Sequence, residues 1–270
     1  MQFRTRSLEI LRLAAIGAAA LAATVAPSAR AQSFVPRAQL GATATENAAP
    51  RYRPVVGEKA VYDVEVKGHG VGEGSLAIVA RETIDGHPVM HASLKLDASL
   101  FRLGASERLD SWFDPDRLFT RHFEQHQREL RSTRQKNYLI SPESKLFQET
   151  YSSGVDTMST DEPLDDISML YFARTLPLRV GDVDTIPRYF KRGHDVIVRV
   201  LRRETITVPA GKFQTIVVQP VITNAGGLFG QGGKAEVYVS DDAARTVVMI
   251  RASVPVLGAI SLTLRELMTP

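Results

Sequence analysis

The chain contains no cysteine. Disulfides, thiolate metal centres, a cysteine nucleophile and lipid attachment through an N-terminal cysteine are therefore excluded, and the fold must be held by its core without cross-links. Tryptophan occurs once, and no apolar run reaches the roughly 20 residues that a membrane-spanning helix needs. Net charge is small as well. The formal value is +3, but Arg4, Arg6, Arg12 and Arg30 lie in the first 31 residues with Glu9 as the one acid, and the remainder carries equal numbers of basic and acidic side chains. That balance removes the bulk electrostatic argument for a nucleic-acid partner. Neither a G-x-S-x-G elbow nor an S-x-x-K pair occurs, so the serine-hydrolase templates find no support.

What is present is a globular composition: 270 residues, 44% hydrophobic and 23% charged, enough for one or two cored domains. The N-terminus reads as an address. Three arginines precede the uncharged run Leu13–Val25, followed by Pro27 and the small-x-small sequence Ala29-Arg30-Ala31. This is the pattern of a secretory signal peptide cleaved after Ala31, and it predicts a periplasmic product with no membrane span. Thr5 separates Arg4 from Arg6, so the consecutive-arginine export signature is missing. Residues 32–54, rich in Ala, Thr, Pro and Arg without a hydrophobic period, read as a flexible lead-in to one β domain over 55–270.

From Val55 onward short alternating runs dominate. Tyr62, Val64 and Val66 share one face while Asp63, Glu65 and Lys67 share the other, as a half-buried strand requires. Similar runs recur to Leu264, separated by turn chemistry such as Asp85-Gly86 and Pro209-Ala210-Gly211. One segment differs: acids and Pro163 precede Ile167–Leu176, and Pro177 follows it. This predicts a helix, apolar nearly all round and hence buried. Two blocks repeat, about 56–130 and 180–267. Val56-Gly57-Glu58 returns as Val180-Gly181-Asp182, and Arg81-Glu82-Thr83-Ile84 returns as Arg203-Glu204-Thr205-Ile206. The expected fold is mainly β: a curved antiparallel sheet, half-barrel or β-spiral like, built from two similar halves as one sheet or two, with the helix plugging the concave face at their junction.

Gly57-Glu58, Tyr62-Asp63, Gly72-Glu73-Gly74, the hairpin from Phe113-Asp114-Pro115 to Phe123-Glu124, the segment Leu170 to Arg174 and Val208-Pro209-Ala210-Gly211 together resemble the DUF3108 family of exported bacterial proteins. The resemblance covers roughly Val55 to Leu267. It implies an envelope protein of unknown biochemical function and transfers no catalytic motif. At the level of fold alone, the arrangement is similar to periplasmic lipoprotein carriers and to β-spiral envelope proteins.

Chemistry-bearing patterns are few. His122, Glu124 and His126 alternate as metal ligands might on a strand face, but Arg128 shares that face, and a solvated strand is the plainer reading. The series Gly68, Gly70, Gly72, Gly74 lacks dinucleotide-loop spacing and reads as a bulged hairpin. The loop from Gly226 to Lys234 misses the phosphate-loop register. Asp161, Glu162, Asp165 and Asp166 suit a helix N-terminus better than calcium. No metal, cofactor or catalytic residue is expected. The leading expectation is a non-enzymatic binder of a lipid or other apolar envelope molecule through Leu170, Tyr171 and Phe172 of the helix, Leu228 and Phe229 of a mobile loop, and Trp112, for which a core role is the plainer reading. The alternatives are a scaffold that binds another envelope protein through a sheet edge, and an enzyme acting on cell wall or glycan.

Overall fold

The protein is described from a computed structural model over residues 52–100, 103–129, 132–150, 154–224, 229, 235–254 and 258–270. The chain opens as a meander of β1 (Lys59–Val66), β2 (His69–Ile84), β3 (His87–Leu100), β4 (Leu103–Phe113), β5 (Thr120–Glu129), β6 (Ser132–Ser141), β7 (Leu146–Glu149) and β8 (Val155–Thr157). A single helix among the described residues, α1 (Asp166–Ala173), follows. The second meander is β9 (Val183–Ile186), β10 (Val196–Val208), β11 (Gly211–Ile222), β12 (Glu236–Ser240), β13 (Val247–Val254) and β14 (Gly258–Met268). β14 pairs antiparallel with β1, so all fourteen strands form one curved, unclosed sheet with β8 and β9 as its edges. The sequence left one sheet or two open; the β1–β14 seam makes it one.

Local chemistry sets the connections. Lys67-Gly68 and Asp85-Gly86 join β1 to β2 and β2 to β3 with positive φ at both residues of each pair, the geometry that matches strand twist in two-residue hairpins. The two blocks share backbone features. Gly57 and Gly181 both have φ of 94°. The Gly57 N–H donates to Ile78 O (3.0 Å) and Ile78 N–H to Glu58 O (2.9 Å), matched by Gly181 to Val200 O and Val200 to Asp182 O, both 2.9 Å. Each half also carries a pairing shift at the same point of its fourth strand, Trp112/Phe113 in β4 and Tyr238/Val239 in β12.

The core fills the concave face. Ile167, Met169 and Tyr171 of α1 are buried beneath Tyr62, Phe113, Phe190 and Leu164, all within 2% of full burial. The helix is shorter than the expected 167–176. After Ala173 the chain tightens, with Thr175 N–H bonded to Phe172 O (2.9 Å), Leu176 N–H to Ala173 O (3.2 Å), and the Thr175 hydroxyl to the same Phe172 carbonyl (2.7 Å). These i to i−3 bonds end the helix before its last apolar residues. The lead-in drawn to Pro54 also runs too far: Tyr52 is 8% exposed and belongs to the core. Residues 1–51, with the expected signal and Ala31, lie outside the described residues.

The glycine series forms a bulged hairpin, as expected: pairing passes from Val64↔Gly72 to Glu65↔Gly70, leaving Val71 unmatched. A side chain at Gly72 would collide with the backbone carbonyl of Asp97 on β3, whereas Gly70 faces open space. Gly72→Ala should therefore destabilise the fold by about 1–3 kcal/mol, the usual overpacking cost, while Gly70→Ala should change it by less than about 0.5 kcal/mol. Chemical denaturation of the pair checks this; equal effects would remove the close-approach explanation.

Candidate functional site

Two regions concentrate polar chemistry: the two ends of α1 inside the sheet, and the outer face of β3–β6. At the helix start Asp165, fully buried, caps α1. Its Oδ1 accepts from Ile167 N–H (2.7 Å) and Ser168 N–H (2.9 Å), and its Oδ2 from the Ser111 hydroxyl of β4 (2.5 Å) and the Thr120 hydroxyl of β5 (2.8 Å). The acids around it do not gather as a calcium site would. Glu162 pairs with Arg117 and Arg188, and Asp166 accepts from Tyr189 OH (3.2 Å). Burial pushes the Asp165 carboxyl up to about 6 against the hydrogen bonds of Ser111, Ser168 and Thr120.

At the helix end Arg174, 4% exposed, donates to Glu58 Oε1 at the start of β1 (2.7 Å) and to Ala244 O between β12 and β13 (2.9 Å). Its guanidinium lies 3.5 Å over the Tyr52 ring and 5.4 Å from that of Tyr171, and Tyr52 OH donates to Glu58 Oε2 (2.7 Å). A cation at a helix C-terminus also complements the helix dipole. The helix residues expected to line a ligand site are thus committed. Leu170 is 6% and Tyr171 1% exposed, Tyr171 packs on Phe113 at 5.5 Å, and half-buried Phe172 lies under the Arg188 guanidinium at 4.6 Å. Phe229 is half-buried against the core and its carbonyl accepts from Ile222 N–H (2.6 Å), so it is not a free loop tip. Leu228, and most of the loop from Gly226 to Lys234, lie outside the described residues.

Trp112 is not a core residue. Its neighbours Ser111 and Phe113 point inward, both fully buried, which places Trp112 on the outer face. There the indole is sandwiched between His91 of β3 (centroids 4.3 Å apart) and His122 of β5 (4.5 Å), each directly opposite it in the register, and its Nε1 donates to Glu82 (3.0 Å). Both ring faces are occupied, so a stacking ligand has none left. His91 lies between two carboxylates, Glu82 Oε1 at Nδ1 (3.1 Å) and Asp110 Oδ1 at Nε2 (3.0 Å). An imidazole satisfies both only as the doubly protonated cation. Burial disfavours that charge, but Asp110 and Glu82 outweigh it and raise the His91 pKa. Asp110, only 1% exposed, is bonded by His91 and held by Arg108 at 2.6 and 3.0 Å; against burial these partners bring it down to about 2.

The strand does bring Glu124 within 3.3 Å of His122 and 3.2 Å of His126. His122 is also bonded to Asn137 Oδ1 (3.1 Å) and stacked on Trp112. Among the described residues no group of three such side chains converges on a metal position.

Sequence reasoning offers a sheet edge as a binding surface without identifying the strands that form it. β8 reads Val155-Asp156-Thr157 and β9 begins Val183-Asp184-Thr185, the same tripeptide at both open edges. Val155 is 57% and Val183 60% exposed, and Leu139 (50%) and Leu146 (36%) continue the apolar surface inward from β8. The signal was in the sequence, but only the topology shows that these two runs are edges.

The family profile described as "Protein of unknown function (DUF3108)" matches residues 61–265. No curated protein matches the chain. Among solved structures, a β-barrel-like protein of the domain of unknown function DUF1849 from Brucella abortus is 9% identical, with a TM-score of 0.51 over 81% of this chain and all of that one. A protein described as exported, with a YmcC-like fold, from Bacteroides fragilis is 11% identical over 82% of this chain and all of its own, at a TM-score of 0.30. One described as a lipoprotein from Parabacteroides distasonis is 13% identical over 80% of this chain and 97% of its own, at 0.29. The first shows a shared fold; the other two are too distant to carry an argument.

The titrations combine into a pH profile. Raised His91 contributes stability that is complete below its ordinary 6.5 and is lost as pH rises through the raised value. Asp165, raised to about 6, makes stability fall as pH climbs from its ordinary 3.8 to 6. Asp110, held near 2, contributes above 3.8 and loses that contribution as pH falls toward 2. The melting temperature should therefore be higher near pH 5 than near pH 8 and drop again below about pH 3.5. Calorimetry across that range checks it, and a profile that rises steadily toward pH 8 would contradict the protonated His91.

Proposed function

We propose, from the premise that the chain belongs to the DUF3108 family, that this protein is an exported, non-enzymatic binding module of the cell envelope that engages a protein partner along the open edges of its sheet. The observation that carries this reading is the contrast between interior and edges: α1 is tied to the sheet at both ends, while among the described residues β8 and β9 each pair with one neighbour. The extracytoplasmic location rests on the arginine-flanked apolar run and Ala29-Arg30-Ala31. No helix among the described residues is long and apolar enough to cross a membrane.

Magnitudes favour the edges over an apolar cavity. Opening the concave face means moving α1, which separates Arg174 from Glu58 and the Asp165 carboxylate from the Ser111 and Thr120 hydroxyls. Breaking a buried ion pair alone costs about 3–5 kcal/mol, and losing hydrogen bonds to a buried carboxylate about 1.5–3 kcal/mol each. A ligand would have to supply that differential affinity before any net binding appeared. An edge strand needs no such rearrangement: its free N–H and C=O groups accept an added strand, and Val155 or Val183 offers the side-chain contact. Asp156 and Asp184 at the centre of each edge oppose indiscriminate pairing and favour a partner strand with a basic residue opposite.

A photo-crosslinking residue placed at Val155 or Val183 in cells should yield a discrete protein adduct. The same residue at Val79, 50% exposed on the central strand β2, should not. No adduct at either edge, or identical adducts at all three positions, would overturn the edge reading. Native mass spectrometry of detergent-free protein should give the apo mass; a reproducible lipid-sized adduct would reinstate the apolar carrier.

A further inference from the structure

The outer face of the first half carries three depressions of about 490, 300 and 500 Å³. They run into one another. Asp97 borders all three, Lys95 and Arg108 border the first two, and Ser106 and Arg128 the last two. The register explains the continuity: Val61, Ser75, Lys95, Arg108 and His126 stand in one cross-strand row over β1–β5, with Glu73, Asp97, Ser106 and Arg128 in the next. Gly74, Ser75 and Ala77 have small side chains where the first depression lies, so the furrow follows the sheet surface there.

The charges along this furrow are not balanced from within. Of its acids, Glu58 is held by Arg174, Glu73 by Arg265, and the buried Glu107 accepts from Gln125 Nε2. Of its cations, Arg108 is bonded to Asp110, His91 to Asp110 and Glu82, and His126 to Glu124. Lys59, Lys95 and Arg128 have no acidic partner among the described residues, and Asp97 has no basic one there. Three cations without an acidic partner therefore lie beside Asp97, which has no basic one. Like charges gathered on one sheet face are unfavourable unless something neutralises them.

We propose that this furrow binds an extended acidic oligosaccharide. The cations stand on β1, β3 and β5, two strands and so roughly 10 Å apart at each step, which calls for a chain with repeated negative groups rather than a single ion. The backbone of a central sheet face is consumed by its own ladder, so recognition falls to side chains. Hydroxyls of Ser75 and Ser106 and the carboxylate of Asp97 suit the alternating donors and acceptors of a polyol. An acidic peptide on the same face finds no free strand edge for its backbone and would be held by its side chains alone. This site uses neither sheet edge, so its fate and that of the edge reading are independent.

The test is calorimetric titration of the mature protein at low salt with a galacturonate decamer, neutral dextran and poly-L-glutamate. Binding of the galacturonate, none of dextran and weaker binding of polyglutamate are expected. The K95Q/R128Q double variant should bind galacturonate at least about tenfold more weakly, since hydrogen bonds to charged groups are involved, while K212Q on β11 should not differ. The replaced side chains are exposed, so an unchanged melting temperature is the accompanying check on folding. Absence of galacturonate binding, binding that the double variant retains, or equal binding of polyglutamate would each overturn the assignment.

Discussion

The buried pair Arg174–Glu58 is the constraint on which the architecture turns. The two residues are 116 positions apart, and their contact ties the end of the only described helix to the first strand of the seam between the halves. Arg174 reaches both halves at once: Glu58 belongs to the first and the Ala244 carbonyl to the second. Its guanidinium is stacked against Tyr52, and Tyr52 bonds the far oxygen of the same carboxylate. Removing either partner would strand a charge in a site with little water, where Coulomb and desolvation terms are both large. Hydrophobic burial supplies most of the stability of such a core but little direction. The polar anchors at Asp165 and Arg174 fix where along the sheet the helix sits.

The two halves share a frame and differ in what is built on it. Both halves start from the same glycine turn and reach the same irregularity one residue after an outer aromatic, Trp112 in β4 and Tyr238 in β12. Each aromatic meets an acid: Trp112 Nε1 donates to Glu82, and Tyr238 OH donates to Glu236 (2.9 Å). The second half completes its cluster with Arg202, bidentate to Glu236 at 2.9 Å on each bond, where the first uses His91 and Arg108 around Asp110. The acid beside the aromatic is thus held by guanidinium in the second half and by a guanidinium and an imidazole together in the first, which gives the first cluster its pH response.

The legible part of this fold was whatever depends on neighbours in sequence. Alternation exposed the strands, Asp85-Gly86 the hairpin, and repeated tetrapeptides the two halves. Long-range terms hid the rest. Ser111 looks like a surface residue until Asp165, 54 positions away, claims its hydroxyl; that inward serine is why Trp112 faces out. Tyr52 looked like linker because its partners Glu58 and Arg174 give no local signal together. Thr175 and Leu176 have helical character, yet the helix yields to Arg174, whose side chain must reach Glu58. Edge status is invisible in Val-Asp-Thr itself, since strand order is a property of the whole sheet.

Without disulfides, the two halves are joined by backbone pairing, and the seam pairs a strand beginning at Lys59 with one ending at Met268. Tyr62 reinforces it by donating across 185 positions to the Val247 carbonyl at 2.9 Å. The entropy of closing so long a loop grows only logarithmically with length, so one well-packed ladder offsets it. The same ladder leaves β8 and β9 as the places where the sheet stops. Closing them into a barrel would bury Asp156 and Asp184 beside each other's strands, and one isolated bridge, Leu164 to Tyr189, joins the segments beyond them instead. The open edges therefore follow from where the chain put its seam: with the interior occupied by α1 and the centre of the sheet committed to joining the halves, the backbone still free to pair lies at the two ends.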